Sequence, residues 1–191
     1  MNNYKGFTLI ELMVTLAVAA TLMAIATPAT KLWQANARVS AMANSLAADI
    51  RKARGNAIVM RRNHTMTALN STIPSNQWGK GGWQVTQIAN NVTATVVEER
   101  GVPSTVTITG VAVDSANVTS TVASVVFVGS TGRLQKTDGT PINLTFKVCD
   151  TNTTTEVGFS VLMNQFGRLL VQKHISAKDA NSVSDAQGCN T

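Results

Sequence analysis

Gly6-Phe7-Thr8-Leu9-Ile10-Glu11-Leu12 opens an apolar stretch that runs to Thr27 with Glu11 as its one charged side chain. The 21 residues from Phe7 to Thr27 would form about 32 Å of helix at roughly 1.5 Å per residue, matching the hydrocarbon thickness of a bilayer. An ionised carboxylate in lipid costs roughly 2.5 kcal/mol or more and persists only beside a partner. If the chain is cut after Gly6, a new amine appears at Phe7, and one subunit's Glu11 carboxylate can meet the next subunit's terminus. The blander reading is an ordinary signal anchor or secretory signal peptide with a stray acid. A secretory signal peptide calls for a small-residue cleavage site after the apolar centre, whereas the only glycine-marked junction here, Lys5-Gly6, lies before it.

This heptad of residues resembles the class III signal of type IV prepilins and type II secretion pseudopilins. The resemblance implies cleavage between Gly6 and Phe7 by a prepilin peptidase, N-methylation of Phe7, and Glu11 as the carboxylate that sets assembly register. It also puts Pro28 where many pilins kink or melt their first helix. The implied division is a leader at 1–6, a transmembrane and assembly half of the helix at 7–28, an amphipathic half at 29–62 and a β-rich domain at 63–191.

The chain has 191 residues and a formal charge of +6. Without the leader and membrane segment about 160 residues remain, enough for one domain with a sizeable core. The excess charge sits in one stretch. Residues 31–62 hold Lys31, Arg38, Arg51, Lys52, Arg54, Arg61 and Arg62 against Asp49, while the basic and acidic side chains of 63–191 cancel. Such a stretch can serve membrane topology, attraction to anionic lipid, or nucleic-acid binding. It can equally be a solvated helix face that neutralises its neighbours.

From Leu32 the apolar residues recur at Ala35, Val39, Met42, Leu46, Ile50, Ala53, Ala57 and Met60, steps of three or four that predict an amphipathic helix ending near Arg61-Arg62-Asn63. Beyond it the Thr- and Val-rich texture predicts strands near 64–69, 82–88, 92–98, 105–113, 124–128, 142–148, 157–164 and 168–173. Turns are expected at Thr131-Gly132 and Asp138-Gly139, and a hairpin at Asn164-Gln165-Phe166-Gly167. A long helix followed by an antiparallel sheet that it covers is an α+β arrangement. Cys149 and Cys189 are the only cysteines. In an oxidising compartment they would close a loop worth roughly 3 to 4 kcal/mol, with free thiols as the alternative.

The exported half is similar to the FimT/FimU and GspH group of minor pilins. The residues that carry this are Ile50-Arg51-Lys52-Ala53-Arg54-Gly55-Asn56-Ala57, Arg61-Arg62-Asn63, Gly81-Gly82-Trp83-Gln84-Val85, Val126-Phe127 with Gly132-Arg133, Phe146-Lys147-Val148-Cys149 and Phe166-Gly167-Arg168. The resemblance implies an inner-membrane subunit of a Gram-negative bacterium with a periplasmic domain, later part of a pilus filament or tip. Its implied partners are other minor and major pilins, the peptidase and the membrane. Some members of the FimT branch bind DNA through a Gly-Arg-x-Arg motif. This chain reads Gly167-Arg168-Leu169-Leu170, so the second arginine is missing, and Arg168, Lys173 and Lys178 are the residues left to meet phosphates without reading sequence.

Catalytic chemistry has little to build on. His64 and His174 are the only histidines, each read as a strand residue, and two distant cysteines do not form zinc-ligand pairs. Gly79-Lys80-Gly81-Gly82 lacks the trailing Lys-Ser/Thr of a phosphate loop and reads as a turn. The reading is a non-enzymatic assembly subunit with no cofactor or metal. A DNA-binding pilin and a secretion pseudopilin are the alternatives.

Overall fold

The computed structural model describes residues 6–69, 78–79, 81–87, 95–152 and 157–173, with backbone only at 25–29, 95 and 97. One helix and ten strands occur among them: α1 (Leu9–Met60), β1 (His64–Ala68), β2 (Trp83–Gln87), β3 (Thr95–Arg100), β4 (Val106–Asp114), β5 (Thr119–Thr121), β6 (Ser124–Phe127), β7 (Leu134–Gln135), β8 (Ile142–Asp150), β9 (Gly158–Met163) and β10 (Leu169–Lys173). The chain divides into two compact units between Gln34 and Ala35.

In the first unit α1 starts on a capping box. Thr8 is the N-cap, and Glu11, three residues on, returns its carboxylate to the Thr8 N–H at 2.9 Å, while Thr8 Oγ1 accepts the Glu11 N–H at 3.3 Å. Phe7 and Leu12 hold the staple positions on either side. The apolar side chains that follow are exposed. The helix runs on through Pro28 without a melted turn, at the place where the resemblance implies a kink or a melted first helix. Among the described residues no helix is long and apolar enough to cross a membrane. The side chains of the expected span are described only as far as Ala24, and Leu9–Ala24 alone makes about 24 Å of helix.

In the second unit the apolar stripe of α1 is the spine of the core. Ala35, Val39, Ala43, Leu46, Ala47, Ile50, Ala53 and Ala57 are all 2 % exposed or less, and five of the eight are alanine. The ends of the anticipated stripe, Leu32 and Met60, remain exposed. The helix closes with a Schellman motif: Arg62 N–H donates to Ala57 O at 3.2 Å and Arg61 N–H to Ile58 O at 3.3 Å. Arg61 supplies the left-handed residue at φ 51° that such an end requires.

The strands form two five-stranded antiparallel sheets, β3-β2-β1-β6-β7 and β10-β9-β8-β4-β5. Alternation decides which face points inward: His64, Met66 and Ala68 of β1, Val106, Ile108 and Ala112 of β4, and Ile142, Leu144, Phe146 and Val148 of β8 are buried. Trp78 joins this core, its ring edge on Phe146 at 4.8 Å between centroids and its Nε1–H donating to Val122 O at 2.7 Å. His64 donates Nδ1–H to Arg62 O at 3.0 Å, which leaves its buried Nε2 as the ring nitrogen without a partner.

The α+β arrangement and the expected strands are present, with three differences. The sheet is double. β5 and β7 were not anticipated, being three and two residues long, too short for a period-two pattern. β3 runs on to Arg100 rather than stopping at Glu98, because Arg100 still pairs with Trp83. The expected start of this strand near Val92 falls in residues 88–94, outside the described residues. The Asp138-Gly139 turn forms as expected: Thr140 N–H donates to Asp138 Oδ1 at 2.8 Å, a bond that holds this carboxyl below the usual carboxylate range.

Candidate functional site

Two regions carry the residues that the sequence singled out. The first is the start of α1. Gly6 has open space around it, and Phe7 is 87 % exposed. Both Thr8 donors, its N–H and its Oγ1–H, bond to the same Glu11 oxygen, Oε2, at 2.9 Å. The local bonds therefore use one carboxylate oxygen and leave Oε1 to other donors. The sequence contained this signal as Thr-x-x-Glu, but the reading gave Glu11 an intermolecular task alone.

The second region is the line along which the helix is tied to the sheets by three polar struts. Arg38 Nη2 donates to Asp150 Oδ2 at 3.0 Å, and the Asp150 side chain is fully buried. Its other oxygen accepts the Asn152 N–H at 2.9 Å. Asp49, 3 % exposed, accepts three bonds: Trp83 Nε1–H at 3.0 Å and Arg100 Nε at 2.6 Å on Oδ2, and Arg100 Nη2 at 3.0 Å on Oδ1. These bonds raise the Arg100 pKa above its ordinary value, so the guanidinium stays charged. Lys52 and Glu98 pair beside it at 2.7 Å. Arg54 is the third strut, donating Nε–H to Gly132 O at 3.0 Å and Nη2–H to Phe166 O at 3.1 Å.

The third strut places the Phe166-Gly167-Arg168 segment against α1. Asn164 Oδ1 accepts the N–H of Phe166 at 3.1 Å and of Arg168 at 2.8 Å, and Gly167 N–H donates to Asn164 O at 2.9 Å. Gly167 has φ 88°, and a Cβ there would lie 2.0 Å from Arg54 Nε. The glycine thus serves both the turn and the approach of the arginine. Arg168 and Lys173 are exposed. Lys178, Cys189 and His174 lie outside the described residues, and Cys149 is 7 % exposed. Among the described residues no three His, Cys, Asp or Glu side chains converge as a metal site would require.

A helix that starts at a Gly-Phe junction and buries its later stripe under antiparallel sheets defines a pilin-like protein. Residues 1–27 match the prokaryotic N-terminal methylation motif, and residues 42–167 match the family described as Type II transport protein GspH. The chain belongs to the GspH family. Its fold is similar to that of the type IV minor pilin FimU of Pseudomonas aeruginosa strain PAO1, with 22 % identity over 70 % of this chain and 87 % of that one and a TM-score of 0.50. A second crystal form of FimU matches at 22 % identity, 70 % and 91 % coverage and a TM-score of 0.48. No curated protein sequence matches the chain.

Proposed function

We propose that this chain is a minor type IV pilin, a non-enzymatic subunit that helps initiate or cap a fibre. It is cut between Gly6 and Phe7, methylated on Phe7, held in the inner membrane with its second unit in the periplasm, and then transferred into the fibre. The observation that carries the reading is the surface of α1 before residue 24. Phe7, Leu9, Ile10, Leu12, Met13, Val14, Leu16, Val18, Leu22 and Met23 are each 54 % exposed or more, and they go round the whole helix. A helix apolar on every side is stable only when lipid or other helices surround it. At roughly 25 cal/mol per Å², such a surface strongly favours leaving water. Glu11 fits the same picture, because its capping bonds to Thr8 hold the carboxylate still with Oε1 open to a neighbour's Phe7 amine.

Glu11→Ala is expected to lower incorporation into fibres by about tenfold or more at unchanged membrane levels, since one unpaired amine in lipid costs on the order of 2.5–3.5 kcal/mol. The measurement is the ratio of sheared-fibre to membrane-bound protein on an immunoblot. Equal ratios for the parent chain and the Glu11→Ala variant would remove the amine pairing from the account. The Cys149–Cys189 disulfide belongs to the same proposal: these are the two cysteines of the sequence, and an oxidising periplasm favours their pairing.

The match of residues 42–167 to a family described by type II transport favours one second reading, a minor pseudopilin. Deletion of the chain then blocks protein export and leaves pili intact, whereas the pilin reading has pili lost and export normal.

A further inference from the structure

The end of α1 carries a surface that neither processing nor register-setting uses. Phe166 is 58 % exposed although its backbone is fixed on both sides, by Asn164 Oδ1 on its N–H and by Arg54 on its carbonyl. Arg133 lies over its ring, 5.3 Å from the centroid. Ile58, 41 % exposed, borders the loop that carries Arg133, with its Cδ1 2.6 Å from where a Gly132 Cβ would stand. The loop continues to Gly129, packed on the backbone of Arg61 and Arg62. Arg133 thus stands over the Phe166 ring, exposed Arg168 is two residues along the same turn, and exposed Arg62 follows Ile58 at the helix end, so three arginines accompany these two exposed apolar side chains. The ion pairs among the described residues involve Arg38, Lys52, Arg100 and Lys136, so none of these three arginines pairs with a carboxylate among the described residues.

We propose that this face is a docking surface for a different protein subunit, one that presents carboxylates around an apolar recess into which Phe166 inserts. A rigid, exposed aromatic loses little conformational freedom on binding, and aromatic and arginine side chains are the residues that anchor protein interfaces. Charge complementarity selects the partner. Beyond residue 62 the exposed carboxylates among the described residues are Glu99 and Asp138, so a second copy of this chain offers no matching acidic face in that part, and its own excess of positive charge repels it. A duplex nucleic acid would satisfy the arginines but gains nothing from Ile58 and Phe166, because its phosphate surface is polar. The inference rests on the subunit reading only in seeking the partner among fibre subunits. A silent result here with the Glu11 effect intact removes this inference alone.

The test places a photoreactive phenylalanine analogue at position 166 of the full chain in the cell that makes it. The expected result is a light-dependent adduct with another pilin-like subunit at a peptide holding two or more Asp or Glu. Arg133→Glu with Arg168→Glu lowers its yield about tenfold, and replacing the partner's carboxylates with lysine restores it to within about twofold. Thermal melts of the exposed-site variants stay within about 2 °C of the parent, which separates lost docking from lost folding. Adducts with this chain alone, with nucleic acid or with lipid overturn the proposal, as do an absent adduct and a yield indifferent to charge reversal. Full-length protein in detergent is expected to leave a short DNA duplex unretarded at low salt. Retardation that Arg168→Ala abolishes would assign the face to DNA instead.

Discussion

Asp49→Ala is expected to lower the unfolding free energy by about 3 kcal/mol or more, as much as truncating a buried leucine of the same helix. Removing one member of a buried, hydrogen-bonded charge pair costs roughly 3–5 kcal/mol. The lower end applies because the Arg100 side chain is 38 % exposed and water compensates part of its charge. The Trp83 indole adds to the loss. Its N–H has Asp49 as acceptor in a fully buried place, and a buried donor without a partner costs about 1–3 kcal/mol. Asp49→Asn keeps an acceptor for Trp83 and gives up the charge pairing, so about half the loss is expected there. Urea unfolding followed by tryptophan fluorescence measures both. In a double-mutant cycle, Asp49→Ala and Arg100→Ala together should cost less than their sum by about 1–3 kcal/mol. A loss below about 1 kcal/mol for Asp49→Ala would mean that packing of the alanine-rich stripe, rather than this strut, fixes the helix on the sheets.

The same strut marks where the sequence stops being legible. The buried face of α1 could be read because packing repeats every three or four residues, and the longer strands because burial alternates. Asp49 could not. A lone acid among basic residues looks like solvent-facing charge, and its partners Trp83 and Arg100 are 34 and 51 positions away. Arg38 and Arg54 were likewise counted in a surface excess, yet Arg38 pairs with the buried Asp150 and Arg54 spends its donors on backbone carbonyls. Part of the charge that suggested a polyanion partner is therefore internal structure. The Asn164–Gly167 turn was legible as a turn, since Asn and Gly supply the side-chain acceptor and the positive φ. That it holds Phe166 out toward solvent beneath Arg133 depends on loops about 30 residues apart in sequence meeting at the helix end, which no local pattern encodes. At the other end of α1 the local signal was present. Thr8 and Glu11 satisfy a capping box, and the same carboxylate has one oxygen left for an intermolecular bond.

Gly82→Ala is the second substitution with a large expected effect, about 3 kcal/mol or more, and it acts on the same strut from the backbone. Gly82 sits at φ 89° before β2, and a Cβ there would stand 1.8 Å from Arg100 O, 2.8 Å from Arg100 C and 3.0 Å from Gly101 Cα. All three are main-chain atoms that no rotamer change can move. Leaving a residue other than glycine at such a φ costs on the order of 1–2 kcal/mol, and forcing two paired strands apart adds typically 1–3 kcal/mol. The displacement also carries Arg100 away from Asp49, so the variant should lose part of the ion pair as well. Two other glycines separate the contributions. Gly139 has φ 90° with nothing within 4 Å of its Cβ position, so Gly139→Ala should show the conformational cost by itself. Gly55 lies inside α1 with equally open surroundings, and Gly55→Ala is expected to stabilise by about 0.5–1 kcal/mol through helix propensity. The order Gly55→Ala above parent, Gly139→Ala slightly below and Gly82→Ala far below, read from thermal melts of the three variants, is the expected outcome. A Gly82→Ala chain that melts with Gly139→Ala would show that β3 yields without loss and that its place beside β2 does not hold Arg100 on the helix.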